Sequence, residues 1–103
     1  MTARRGLPNR RDSETFRFRC EPFEYAATVS RYPDGTLAEI FISNGKAGSG
    51  SDTVAKDAAV VCSIALQFGV PLDVIRKALL RDARGVAASP LGVALDRIAA
   101  VSE

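Results

Sequence analysis

The chain has 103 residues, 47% of them hydrophobic and 25% charged, with a formal net charge of +2. That length and composition fit one small water-soluble domain with one modest core, and no uncharged apolar run is long enough to span a bilayer. The chain contains no histidine and only two cysteines, Cys20 and Cys62. This removes the usual Ser-His-Asp arrangement and any four-ligand Cys/His zinc site.

The first twelve residues, MTARRGLPNRRD, show no periodicity and read as a flexible basic arm (1–12) ahead of a single domain (13–103). Charge is unevenly placed. Residues 1–19 hold six arginines, Arg4, Arg5, Arg10, Arg11, Arg17 and Arg19, against Asp12 and Glu14, while the remainder is slightly acidic. Such an arm is either a solvated tail or a basic patch for an anionic partner. The N-terminus lacks the apolar core of a signal peptide, so cytoplasmic residence with no membrane partner is expected.

Residues 14–20 alternate, with Phe16, Phe18 and Cys20 on one face and Arg17 and Arg19 on the other, which predicts a half-buried strand. Glu21-Pro22 breaks it. Alternation resumes from Phe23 to Tyr32 through Phe23, Tyr25, Ala27 and Val29, then Pro33-Asp34-Gly35 turns the chain. Leu37–Ser43 forms a third strand. Connections this short require antiparallel pairing.

The stretch Asn44-Gly45-Lys46-Ala47-Gly48-Ser49-Gly50-Ser51 joins that strand to a helix. Its Gly45, Lys46, Gly48, Ser49 and Gly50 either hold an anion at a helix N-terminus or only turn a corner. The order of residues is not that of the nucleotide-binding P-loop. Ser51 or Asp52 is the expected N-cap, and Val54 to Phe68 the helix, ended by Gly69. That helix is apolar nearly all round, so something besides the sheet must cover it: later helices or a second copy of the chain. A homodimer through helix 54–68 is therefore expected. A second helix runs from about Leu72 to Asp82. Arg84 lies in the next linker, close to a third helix N-terminus at Ser89-Pro90, and makes a second candidate anion contact. The third helix buries Leu91, Ala94, Leu95 and Ile98. Glu39, inside the third strand, is expected to pair with Lys46 or with an arginine of the first strand. The fold class is α+β, a three-stranded antiparallel meander followed by two to three helices on one face (βββααα).

Three blocks carry a resemblance. The first is Tyr25–Ser30 with Asp34–Ile42 and Gly45–Gly48, the second Ala65–Leu72, the third Ala88–Asp96, preceded by the basic lead-in Arg4 to Arg11. Together they resemble the TSCPD domain, the small module near the C-terminus of many adenosylcobalamin (vitamin B12)-dependent ribonucleotide reductases, which also occurs free-standing. The parent enzymes reduce ribonucleotides by radical chemistry, with paired redox cysteines and a cofactor-bearing barrel. A chain of this length has no room for that barrel, and Cys20 and Cys62 match no redox pair. The resemblance therefore implies a non-catalytic accessory or regulatory module of deoxyribonucleotide metabolism. It would be no enzyme on its own and would need no cofactor or metal. Its partner would be a nucleotide or a ribonucleotide reductase. The alternative is a small nucleic-acid-binding module using the arginine arm.

Overall fold

The structure, a computed structural model, describes residues 3–9 and 12–102. The elements run β1 (Ser13–Cys20), β2 (Phe23–Arg31), β3 (Leu37–Ser43), α1 (Gly50–Gln67), α2 (Leu72–Ala78) and α3 (Pro90–Ser102). The strands form one antiparallel sheet in the order β1-β2-β3. This is the expected α+β meander with helices after it.

The register explains the alternation. Phe18 pairs with Tyr25 and Phe16 with Ala27, while Ala27 pairs onward with Ile42 and Val29 with Ile40. These residues share the face turned to the helices, so a period-two pattern in sequence becomes one buried layer. The layer is closed by Ala55, Ala59, Cys62 and Leu66 of α1 and by Leu91, Ala94, Leu95 and Ile98 of α3. Ile40, Ile42 and Leu95 are almost completely buried, each contributing about 1.5–3 kcal/mol of transfer free energy.

The two edge strands are covered by helices. Ser63 of α1 donates its hydroxyl to the Ile40 carbonyl (3.0 Å) and accepts from the Ile40 N–H (2.9 Å), and the Gln67 amide donates to the Ala38 carbonyl. At the other edge, the Arg97 guanidinium of α3 lies over the Phe16 ring and donates to the Arg17 carbonyl.

Two boundaries differ from the sequence reading. Helix α1 starts at Gly50 with Ser49 as its N-cap, not at Ser51 or Asp52. Helix α2 stops at Ala78, because Leu79 is extended and Arg81 pairs with Ala87 in an isolated bridge.

Candidate functional site

The glycine loop is a self-contained turn. Gly45 and Gly48 take φ of 75° and 82°, the left-handed region that favours glycine. The Gly45 N–H donates to the Ser43 hydroxyl, the Lys46 N–H to the Asn44 side-chain carbonyl, and the Ser49 N–H to the Lys46 carbonyl. The Asp52 carboxylate, almost fully buried, accepts from the Asn44 N–H and the Ser43 hydroxyl, both at 2.9 Å, and pairs with Lys56 at 2.7 Å. The Lys56 ammonium, helped by the Asn44 N–H, holds the Asp52 carboxyl below its usual range. An anion thus already sits on this side of the α1 N-terminus, and it belongs to the chain.

Lys46 and Gly45 to Gly50 are brought together, as the sequence places them, but the lysine leans over the Phe23 ring (5.8 Å). Arg84 is not brought to the loop. It is strongly exposed, in a turn where the Asp82 carboxylate accepts from the Arg84 and Val86 N–H groups, with its own guanidinium 3.7 Å from Asp82. Glu39 accepts from the Ser30 hydroxyl at 3.0 Å on the face of the sheet away from the helices.

The basic residues are dispersed. The Arg4 side chain donates to the Gln67 side-chain carbonyl, and Arg5 stacks on Tyr32 at 3.6 Å and pairs with Asp34 at 3.1 Å. Arg19 pairs with Glu21 at the far end of β2, and Arg17 is exposed on β1. The length of β2 separates Arg5 from Arg19, about 26 Å at strand rise. Arg10 and Arg11 lie outside the described residues.

Neither cysteine is poised as a thiolate. Burial pushes the Cys62 thiol up to about 11, and burial followed by the nearby Glu21 raises Cys20. Among the described residues no cluster of His, Cys, Asp or Glu is arranged to hold a metal ion, and no helix is long and apolar enough to cross a membrane.

Sequence reasoning missed two features. One is Asp52 as the loop's internal anion; its side chain next to Gly50 was the available signal. The other is the groove of about 570 Å³ between α1 and α2, lined by exposed Val54 and Val61 of α1 together with Ile75 and Leu79. The all-round apolar character of 54–68 signalled an uncovered face, but not that α2 would widen it.

The family model described as the TSCPD domain matches residues 4–99. A vitamin B12-dependent ribonucleotide reductase of Rhodopirellula baltica is 40% identical over 72 residues, 70% of this chain and 7% of that protein. The enzymes of the same name from Bradyrhizobium diazoefficiens and Streptomyces coelicolor are each 34% identical, over 71% and 68% of this chain. They are matched over 6% and 7% of their own lengths, so the chain spans a small fraction of the curated relatives. No solved structure matches it.

Proposed function

This chain belongs to the TSCPD domain family, and from that membership we propose that it is a non-catalytic accessory module of ribonucleotide reduction that works by binding protein, beginning with a second copy of itself. One observation carries the reading. Val54, Val61, Ile64 and Phe68 stand 69%, 67%, 38% and 41% exposed along one side of α1, opposite the side that packs on the sheet. Their spacing of seven, three and four residues is that of a helix-pairing seam. An exposed, largely apolar row of this kind marks an interaction surface more often than a solvated one. Asp57 falls within the same row, and a single polar seam residue fixes register at some cost in stability.

The protonated thiols and the self-satisfied loop support a binding role over chemistry. Sedimentation across a dilution series tests the self-association: the wild-type chain should run as a dimer that dissociates on dilution. Val61→Glu should run as a monomer with an unchanged circular dichroism spectrum. A wild-type monomer at every concentration removes the dimer. Co-sedimentation with a B12-dependent ribonucleotide reductase tests the wider partnership, and independent migration of the two proteins counts against it.

A nucleotide contact at Gly45, Lys46, Gly48, Ser49 and Gly50 has less support, since the Gly45, Lys46 and Ser49 N–H groups are engaged and Asp52 adds negative charge. A thermal-shift series with nucleotides and Lys46→Ala decides it. The nucleic-acid reading needs the arginines to act together. It predicts affinity that falls steeply with salt and is lost on removing residues 1–12.

A further inference from the structure

We propose that the cavity shared by the N-termini of α1 and α3 binds a monocarboxylate carried on an apolar body. The cavity holds about 410 Å³, within the range of small-molecule sites. Gly50 and Ser51 line it from the start of α1, and Ser89, Pro90 and Leu91 from the start of α3. These helices are 18 and 13 residues long, and each ends in a partial positive charge of about half a unit.

The caps leave donors over. Ser49 takes the Asp52 and Thr53 N–H groups, and Ser89 takes those of Gly92 and Val93. The N–H groups of Gly50, Ser51 and Leu91 have no partner among the described residues, and proline has none to offer.

An independent observation points to a ligand. Tyr25 lines the same cavity and is only 5% exposed, yet its hydroxyl makes no hydrogen bond among the described residues. No solvent-closed side-chain oxygen there lacks a partner. The Tyr25 hydroxyl therefore keeps accessible surface, and the cavity is what that buried residue opens onto.

Charge and shape define the ligand. No lysine or arginine lines the cavity, so the positive potential comes from the two helix ends, at most about one unit in total and less at α1, whose first turn already holds the Asp52 carboxylate. That matches one carboxylate and not a polyphosphate. Asp52 is directed instead to Ser43, Asn44 and Lys56. The remaining walls, including Val54, Ala55, Ala58 and Leu79, are apolar, and through Val54, Ala58 and Leu79 the cavity continues into the α1–α2 groove. A carboxylate would seat on the four donors with its hydrocarbon part along that groove, which goes beyond the self-association proposed above.

The test is an amide-resolved NMR titration of the full chain with sodium hexanoate, using 1-hexanol and inorganic phosphate as controls. Hexanoate should shift the Gly50, Ser51 and Leu91 amides saturably, hexanol should do so far more weakly, and phosphate should not. Tyr25→Phe, which keeps the ring and is checked by its own spectrum, should weaken hexanoate binding about tenfold. Acetyl-Ala-Ala-Leu as free acid against its C-terminal amide separates a peptide terminus from a free aliphatic acid as the source. The proposal is overturned by any of these results: no saturable response to either acid, equal responses to hexanoate and hexanol, phosphate reproducing the shifts, or unchanged affinity in Tyr25→Phe. Val54 and Val61 line the groove and also belong to the self-association row, so the titration is repeated below the concentration at which the chain dimerises, which tells a groove covered by the partner copy from an absent site.

Discussion

Ser63 closes the β3 edge with one hydroxyl, since it both donates to and accepts from Ile40. Ser63→Ala would leave the Ile40 N–H and C=O without partners in a buried setting, a loss of about 1–3 kcal/mol. Urea unfolding should show a lower midpoint with an unchanged slope; an unmoved midpoint would mean that water replaces the hydroxyl. Asp96 is a second residue whose role is measurable. It accepts from Arg81 at 2.7 and 2.8 Å and from Arg76 at 3.0 Å, tying α2 and the 81–87 bridge to α3. The Arg81 guanidinium first, then Arg76, holds its carboxyl down at about 2, against 3.8 normally. Because the folded value is the lower one, this stabilisation is complete above about pH 4 and disappears as pH falls toward 2. In Asp96→Asn the fall in stability between pH 4 and 2 should be shallower than in the wild type. Parallel pH profiles would show that the pair contributes nothing net.

At the scale of elements, the start of α1 shows where sequence reading works and where it stops. The strands were legible because Phe16, Phe18, Tyr25, Ala27 and Val29 alternate with polar residues, and burial on one sheet face imposes that period directly. The α1 N-cap was misplaced by two to three residues, and the first helical residue by four, because glycine reads as a turn, whereas Gly50 lies inside the first helical turn and Ser49 outside it. Ser49→Ala removes the acceptor for the Asp52 N–H. It should cost about 1 kcal/mol, seen as faster amide exchange at Asp52 and Thr53. Exchange unchanged there would assign the capping to Ser51, whose hydroxyl is 3.3 Å from that of Ser49. Helix α2 was read too long because Ala78, Leu79, Leu80 and Arg81 are good helix formers; the Arg81–Asp96 pair and the turn in which the Asp82 N–H donates to the Val86 carbonyl overrode propensity. The shared cavity was not legible at all. Ser49 and Ser89 each signal a helix start, but only tertiary packing places the two starts beside Tyr25.

At the scale of the whole molecule, the first residues are joined to its middle. The Arg5 N–H donates to the Gln67 carbonyl at 2.7 Å, the Arg4 side chain donates to the Gln67 side-chain carbonyl at 2.6 Å, and the Tyr32 hydroxyl donates to the Arg5 carbonyl at 3.1 Å. Gln67 and Tyr32 are buried, whereas the Arg5–Asp34 pair is half exposed. The ion pair therefore contributes little, and the backbone bonds and the stacking of Arg5 on Tyr32 carry the attachment. Removing residues 1–9 re-exposes Gln67 and Tyr32 to water, so each lost bond is partly replaced and the cost should be about 1–3 kcal/mol. For a domain of this size each kcal/mol lowers Tm by about 4–8 °C. Arg5→Lys should lose part of that, because a lysine stacks less well and cannot present a planar face. Arg5→Ala keeps both backbone bonds and should lose the stacking alone. A truncated chain that melts with the wild type would show that the segment rests on the domain without stabilising it. A large loss in Arg5→Ala, equal to the truncation, would move the attachment from the backbone to the guanidinium.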